Sequence, residues 1–514
     1  MQNILEVKDL RISFKRDNFW HEVVKGISFS LKKGETLGIV GESGSGKSVT
    51  CLAIMDLLEK RNTKISENSI FFHGSKKAMI FQEPMTALNP VMRCGRQVME
   101  VGVSKERCLE LFNEVLLPNP ERVFSSYPHQ LSGGQRQRVM IAMALASNPD
   151  ILIADEPTTA LDVSVQKAVL DLMKVLQRKY NIGIIFITHD LGVVNQIADR
   201  VAVIYKGEIV SAQHPYTKGL IASRPPMDKR PKRLSTVSDF MNEDYVQPPV
   251  ICASERLELH NMIYSQTPLL SVKHLNVRYG KFTAIEDISF DVYRGETLGL
   301  VGESGCGKST LGASIMNLIE QKRGEIYFKG REIGAKGNER GVMSREIQIV
   351  FQNPYSSLNP RLTIGKAIEE VLVVHKIEKD KVKRREMVMR MLEKVGLERE
   401  HFDRYPHEFS GGQRQRIGIA RALILNPKIV ICDECVSALD VSVQAQVLNL
   451  LNDLKRDLGL TFIFISHDLA VVKYMSDRMM VMRKGAIEQL GEADEIYANP
   501  QTEYTQRLIN SIPK

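Results

Sequence analysis

Two copies of one short pattern, G-x-x-x-x-G-K-[ST], constrain this chain more than any other feature in it. They are Gly41-Glu42-Ser43-Gly44-Ser45-Gly46-Lys47-Ser48 and Gly302-Glu303-Ser304-Gly305-Cys306-Gly307-Lys308-Ser309. Each follows an apolar run expected to form a β-strand, Thr36–Val40 and Thr297–Val301. Such a loop turns successive backbone N–H groups toward a phosphate chain. Its Lys reaches the β- and γ-phosphates, and its Ser hydroxyl meets Mg2+. One copy points to a nucleotide-binding domain. Two copies, 261 residues apart, point to a duplicated ATPase whose halves work as a pair.

A chain of 514 residues is too long for one ordinary core, so two or more domains are expected. Its 43% hydrophobic and 25% charged content is that of a globular, water-soluble protein. No run approaches the ~20 apolar residues of a membrane helix. The longest, such as Ile184–Ile187, are strand-sized. The opening Met-Gln-Asn-Ile-Leu-Glu-Val-Lys has neither the basic nor the apolar region of a secretion signal, so a cytoplasmic chain is expected. Seven cysteines do not make a disulfide framework. Cys432 and Cys435 spell C-x-x-C but bracket two acids, and read as small residues at a buried strand end rather than a redox or zinc site. The net charge of +8 suits phosphate ligands or an anionic membrane surface and is too small to argue for nucleic acid.

The duplication extends beyond the loops. Ser132–Arg138 recurs at Ser410–Arg416, Ala160–Gln166 at Ala438–Gln444, and His189-Asp-Leu191 at His467–Leu469. The offset is 261 at the loop lysines, 270 at Gln82/Gln352, and 278 from Ser132/Ser410 to His189/His467. The second half therefore carries 9 extra residues before its Gln and 8 more before its Ser-Gly-Gly-Gln. Tyr216 pairs with Tyr504 at an offset of 288, so the first half is about ten residues shorter after its His. Length differences are expected in connections, and the invariant block as one rigid unit. Strand-like runs Ile151–Ala154, Ile184–Thr188, Val430–Cys432 and Phe462–Ser466 alternate with helical patterns such as Val163–Gln177 and Val441–Leu454. That alternation predicts an α/β fold, a mostly parallel sheet covered by helices, in each half. Residues 223–267 repeat nothing and are rich in Pro. They read as a linker between a first domain, 1–222, and a second, 268–514. The basic cluster Lys229–Arg233 within it reads as a solvated face, with a lipid-headgroup contact as the alternative.

Ile151-Leu-Ile-Ala-Asp155-Glu156 and Ile429-Val-Ile-Cys-Asp433-Glu434 are apolar strands ending in paired acids. Adjacent buried carboxylates need partners. A Mg2+ held by Asp155 or Asp433 supplies one, and Glu156 or Glu434 can then polarise the attacking water. Phosphoryl transfer asks for these parts: neutralised charge and a positioned nucleophile. Ser132-Gly133-Gly134-Gln135 and Ser410-Gly411-Gly412-Gln413 each open an apolar-periodic helix with a Ser N-cap and exposed backbone N–H groups.

Taken in order, these motifs and the isolated His resemble the ATP-binding subunit of ABC transporters, over about 460 residues and both halves. The resemblance implies tandem ABC ATPase domains, each with an antiparallel β subdomain and a helical signature subdomain beside the P-loop core. It implies that each ATP is clamped between one half's P-loop and the other half's Ser-Gly-Gly-Gln. One site then joins Gly41–Ser48, Gln82, Asp155, Glu156 and His189 with Ser410–Gln413. The other joins Gly302–Ser309, Gln352, Asp433, Glu434 and His467 with Ser132–Gln135. Glu156, His189, Glu434 and His467 are the implied catalytic residues, both histidines meeting the γ-phosphate. Ser48, Gln82, Asp155, Ser309, Gln352 and Asp433 are the implied Mg2+ ligands. Asp162 and Asp440 would sit between the halves. Tyr279 and Phe14 would stack on adenine, with Phe19 or Trp20 as substitutes for Phe14. Both sites keep their Lys, Glu and His, so two hydrolytic sites are expected. Cys435 in place of Pro157, and Met143 in place of Arg421, are minor departures.

Within the family, Phe81-Gln-Glu-Pro-Met-Thr-Ala-Leu-Asn-Pro90, Phe351–Pro360, Tyr127–Gln135 and His214-Pro-Tyr-Thr-Lys-Gly-Leu220 resemble the dipeptide/oligopeptide/nickel importer branch, fused as in its glutathione-importer type. That implies a peripheral ATPase on the inner membrane face, two integral-membrane permease subunits, and an extracytoplasmic solute-binding protein. The segment after each Gln is the implied docking surface for a permease helix. The branch often carries an iron–sulfur cysteine cluster after His-Pro-Tyr-Thr. Here only Cys252 lies between Cys108 and Cys306, so none is expected. The competing class is a ribosome-associated ABC translation factor, whose linker resembles a long charged helical pair. This linker is Pro-interrupted and without a sustained helical period. A DNA-repair ATPase would need inserted C-x-x-C pairs, which are missing, so no nucleic-acid partner is expected.

Overall fold

The structure, a computed structural model, describes residues 3–158, 161–319, 323–333, 339–352 and 358–512. It falls into two units. One holds the chain up to residue 221 together with 237–243, and the other holds 222–236 together with 244–512.

In the first unit, Lys77–Ile80, Ile151–Asp155, Gly183–Thr188, Thr36–Val40 and Arg200–Tyr205 run parallel in that order. Glu208–Val210 adds antiparallel at the edge. Every residue of the three central strands is buried. Both faces are covered, which is why these runs read as continuously apolar rather than alternating. On one face Leu37, Ile39, Ile151, Ile153, Ile185 and Ile187 pack against Leu5, Leu10, Ile12, Ile27 and Leu31 of an antiparallel sheet. In that sheet Asn3–Arg16 pairs with Phe19–Lys32, Thr63–Ile65 and Ile70–Phe72. The helices Cys94–Met99 and Lys105–Glu114 pack on Gly133–Ala146 to form a helical layer.

The second unit repeats this order with Ile347–Val350, Ile429–Asp433, Thr461–Ile465, Thr297–Val301 and Arg478–Arg483 parallel and Ala486–Glu492 antiparallel. Strand alternation sorts its two cores. Ile429, Ile431, Ile463 and Ile465 face the antiparallel sheet. Val430, Cys432, Phe462 and Phe464 face Ile417, Leu448 and Leu451 on the helices.

The length differences add whole elements as well as loops. The second unit has the helix Glu339–Glu346 ahead of Ile347–Val350, where the first passes directly from Ile70–Phe72 to Lys77–Ile80. Its helices Ile364–Val374 and Lys381–Lys394 have 11 and 14 residues, against 6 and 10 in Cys94–Met99 and Lys105–Glu114. After Ala486–Glu492 it adds the helix Ala493–Ala498. The block between the signature and the His keeps its length, and Val163–Tyr180 and Val441–Leu458 are both 18 residues.

The segment 223–267, expected to lack a sustained helical period, does form a helix. It contains the helix Ala253–Tyr264, and Pro231 bridges Val250. Much of it lies along the second unit. Arg230, expected on a solvated face, is largely covered, its side chain 10% exposed. Its guanidinium donates to the Tyr474 and Ser476 carbonyls at 2.8 and 3.0 Å and pairs with Asp494 at 3.0 Å. At the surface Lys232 pairs with Glu255 and Arg233 with Asp453. The Leu234 N–H and C=O bond the Asn449 side chain, both at 2.8 Å. From the helix, Arg256 reaches Glu492 and the Asp477 carbonyl, and His260 lies 3.7 Å from Asp477.

Candidate functional site: two P-loop centres

The P-loop, Gln, Asp–Glu and His motifs of each unit gather at the carboxyl ends of its parallel strands, where open α/β sheets bind ligands. The first loop leaves Thr36–Val40, Asp155 ends Ile151–Asp155, His189 follows Gly183–Thr188, and Gln82 lies just past Lys77–Ile80. The second unit places Gly302–Ser309, Asp433, His467 and Gln352 in the same way.

Each loop needs glycine for stated reasons. Gly46 and Gly307 cap the following helix at φ +106°, a left-handed backbone that a side chain resists. A Cβ on Gly41 or Gly302 would overlap the carbonyl oxygen of Ile204 or Met482. The loop lysines are buried, 5% exposed each. Lys47 Nζ donates to the Gly41 and Glu42 carbonyls at 2.7 and 2.9 Å. Lys308 Nζ does so to Gly302 and Glu303 at 2.6 and 3.1 Å.

The acids stand opposite. Ser48 Oγ donates to Asp155 Oδ1 at 3.2 Å, and Ser309 Oγ to Asp433 Oδ1 at 3.0 Å. Burial pushes both aspartates above the usual carboxylate range, against the lowering effect of the Ser hydrogen bond. A carboxylate held up by desolvation next to a hydroxyl is a hard-oxygen set short of positive charge, which is what Mg2+ prefers. The residues present therefore fit that ion.

Glu156 and Glu434 share an unusual backbone. Each continues its strand by one hydrogen bond, to Ile187 O at 3.0 Å or Ile465 O at 2.9 Å. Each then turns left-handed, at φ +46° and +48°. Strain of this kind costs of order 1 kcal/mol and concentrates at functional sites. The turn takes the Glu carboxylate away from the Asp and onto two other groups. Gln82 Nε2 donates to Glu156 Oε2 at 3.0 Å, and His189 Nδ1 lies 3.2 Å from the same oxygen. In the second unit the distances are 2.8 Å from Gln352 and 3.3 Å from His467. Burial raises the Glu434 carboxyl, but the His467 hydrogen bond and the charges of His467 and Lys308 outweigh it and hold it below its usual value. It is thus a carboxylate at neutral pH.

Each unit brings together its own P-loop, Gln, Asp, Glu and His. Ser132 and Ser410 each cap a helix, accepting from the Gln135 or Gln413 N–H at 3.3 Å. The Gln side chain closes a capping box at 3.0 or 3.1 Å. Asp162 and Asp440 are the N-cap residues of Val163–Tyr180 and Val441–Leu458. The two aromatics differ. Tyr279 is half exposed, whereas Phe14 packs against the core of the antiparallel sheet. Phe19 is exposed, and Trp20 lies under Lys64 at 4.3 Å. Asn353–Ser357, in the segment expected to dock a permease, and Ala160 lie outside the described residues.

Two site residues were not read from sequence. Tyr216 Oη accepts the Glu42 N–H at 2.9 Å, and Tyr504 Oη accepts the Glu303 N–H at 3.1 Å. Their pairing in the repeat was the available signal, but it carried no hint of the partner.

Comparison with known proteins agrees with this geometry. Residues 24–159 and 285–437 match the ABC transporter family. Residues 209–246 and 488–514 match the oligopeptide/dipeptide transporter C-terminal region. Glutathione import ATP-binding proteins of Shigella boydii serotype 4 and Escherichia coli K12 are both 46% identical over 564 residues, covering 99% of this chain and 90% of theirs. That of Pectobacterium atrosepticum is 43% identical over 566 residues, covering 100% and 90%. Among solved structures, cbiO1 from Clostridium perfringens, part of the ABC transporter complex cbiONQ, is 28% identical with a TM-score of 0.43. It covers 46% of this chain and 92% of that one. None of these matches supports the translation-factor alternative. No helix among the described residues is long and apolar enough to cross a membrane. The chain belongs to the ABC transporter ATP-binding family, as an ABC-type ATPase with two tandem ATPase domains and the oligopeptide/dipeptide C-terminal region after each.

Proposed function

We propose that this ATPase powers import of glutathione, a peptide or a similar small solute. It would sit at the inner face of the membrane on two separate integral-membrane permease subunits, with an extracytoplasmic solute-binding protein delivering the cargo. The carrying observation is the oligopeptide/dipeptide C-terminal region, present after both ATPase domains. Residues 1–222 and 268–514 are the two working domains.

In each site the P-loop N–H groups and Lys47 or Lys308 bind the triphosphate, and in the second site the open ring of Tyr279 lies against adenine. Ser48, Asp155 and Gln82, or Ser309, Asp433 and Gln352, would hold Mg2+, which neutralises phosphate charge when bound. Glu156 or Glu434 orients and polarises the attacking water, and His189 or His467 bonds the γ-phosphate. Closure brings Ser410–Gln413 to the ATP on Lys47, and Ser132–Gln135 to the ATP on Lys308. Hydrolysis releases it, and the Gln residues link that cycle to the permeases. Exposed Phe81, Met85 and Val91 near Gln82 suit a helical partner. So does a cavity of about 410 Å3 lined by Phe351, Val374, His375 and Arg421 near Gln352.

The test is gentle purification of the tagged chain from its own cells in mild detergent. Two multi-span permeases, with ATPase activity raised by a peptide- or glutathione-loaded binding protein, are the expected result. Ribosomal subunits in their place would overturn the transport reading and leave the ATPase assignment standing.

A further inference from the structure

The buried tyrosines against the loops lead beyond catalysis by the loop's own residues. Tyr216 stands on the helix Pro215–Ala222, and Tyr504 on the helix Glu503–Asn510. Both lie in the region that matches the oligopeptide/dipeptide C-terminal family rather than in the span that matches the ABC transporter family. Yet each side chain ends on a phosphate-loop amide.

The bond has a specific place in the loop. The peptide group joining Gly41 to Glu42 carries the Gly41 carbonyl and the Glu42 N–H. Lys47 Nζ holds the carbonyl at 2.7 Å, and Tyr216 Oη holds the N–H at 2.9 Å. In the second unit Lys308 holds the Gly302 carbonyl at 2.6 Å, and Tyr504 holds the Glu303 N–H at 3.1 Å. Lysine and tyrosine thus occupy opposite ends of one peptide, and hydrogen bonds at its two ends polarise each other. The tyrosines are themselves fixed. Tyr216 is fully buried, stacks on Tyr205 at 4.2 Å, and donates its backbone N–H to His214 Nδ1 at 3.1 Å. Tyr504 lies under the Arg483 guanidinium at 5.0 Å. The supports differ while the bond to the loop is the same, so the common element is the contact itself.

We infer that Tyr216 and Tyr504 are positioning residues for ATP. Through one peptide they fix the loop that carries the phosphate-binding Lys, and so tie the C-terminal region of each half to nucleotide affinity. A held peptide keeps the remaining loop N–H groups aimed at the phosphates before ATP arrives, and preorganisation of this kind appears as affinity. The inference rests on Lys47 and Lys308 as phosphate ligands.

Phosphate release by the full chain carrying Tyr216→Phe and Tyr504→Phe is the first measurement. KM for ATP should rise about tenfold, with kcat within about twofold of the parent. Binding of a fluorescent ATP analogue then closes a cycle with Lys47→Ala and Lys308→Ala. Without the lysines, the Tyr→Phe changes should cost less than about twofold. A parental KM, or an undiminished Tyr effect without the lysines, would reduce the tyrosines to packing residues and overturn the inference. Unchanged ATP binding by the lysine variant would overturn the site assignment, and the inference with it. Should the tyrosine variants fail to fold, hydrogen exchange on the unaltered chain decides. The Glu42 and Glu303 amides should be protected without nucleotide, and rapid exchange there would refute the role.

Discussion

The two halves agree where the chemistry is and differ at the opposite end of the same strands. The Ser–Asp, Gln–Glu and His–Glu distances match within 0.2 Å between the sites. At the amino ends, the Thr36 N–H donates to Asp199 and the Thr297 N–H to Asp477, both at 2.8 Å. Asp199 is exposed. Asp477 is buried beneath the helix Ala253–Tyr264, with His260 and the Arg256 guanidinium over it. Neighbours have changed accordingly. Lys455 donates to Asp477 at 3.1 Å and to the Thr297 hydroxyl at 2.8 Å. The first half has Gln177 at that place, donating to the Thr36 hydroxyl at 2.9 Å. A carboxylate in water does with an amide neighbour, and a carboxylate under a covering helix has a cation. The duplicated domain therefore kept its reaction centre and rebuilt one end to receive the intervening segment.

Chemical equivalence of the sites is the part of the comparison that the largest effect addresses. Glu156→Gln and Glu434→Gln keep the shape and remove the charge proposed above to polarise the attacking water. Loss of one such transition-state contact costs about 3 kcal/mol, a hundredfold or more in rate. The double variant should lose at least that in steady-state phosphate release while still binding ATP. The two single variants should fall equally. A single variant as dead as the double, beside one near the parent, would break the equivalence.

Stability should separate what catalysis does not. Asp477→Ala strands Lys455 and part of the Arg256 charge in a buried place, where removing one partner costs about 3–5 kcal/mol. Asp199→Ala removes one exposed bond, worth about 1 kcal/mol. In a denaturant titration, only the second unit's transition should move far. The same asymmetry predicts a pH effect. Burial acts to raise Asp477, but the charge of Lys455, the His260 ring nearby and the Thr297 N–H bond outweigh it and hold the group well below its ordinary 3.8. Its stabilisation is present above about 3.8 and is lost as pH falls through that value toward the lower folded one. The second unit should therefore lose more stability than the first between about pH 4 and pH 2. Equal losses would show that the cover contributes nothing. Lys455→Gln, copying the first half, is the milder version. It should cost more than Gln177→Lys, whose added ammonium has Asp199, the counterpart of Asp477, to pair with.

The parts of this molecule that were legible are those written contiguously. The loops, paired acids, Ser N-caps and His follow one another in strands and helices whose apolar runs announce them. The block between Ser132 and His189 has one length in both halves because a shared sheet register fixes it. Arg230 was misread because a run of basic residues looks solvated until its partners are known, and Asp494 and the Tyr474 carbonyl lie more than 240 residues away. Tyr216 and Tyr504 were hidden by the same distance, 174 and 201 residues from the amides they hold. The left-handed turn at Glu156 and Glu434 has no sequence signal, since Glu has no preference for it.

The smallest expected effect tests the adenine end, where the halves differ again. Phe14 and Tyr279 occupy equivalent ends of their strands, but the hairpin after Phe14 runs on through Arg16 and returns at Phe19, pairing Phe14 with His21 and Thr63. Tyr279 turns back at once through Gly280, at φ +59°, to pair with Phe282, and half its surface stays open. An open ring can stack on a base, and stacking is worth about 1–3 kcal/mol. Tyr279→Ala should raise KM for ATP about fivefold or more and leave the melting temperature within a degree or two. Phe14→Ala should do the reverse, lowering the first unit's stability by removing core packing while changing KM less than about twofold. A matching KM rise for Phe14→Ala would mean that its ring leaves the core when nucleotide binds, and would make the adenine ends alike after all.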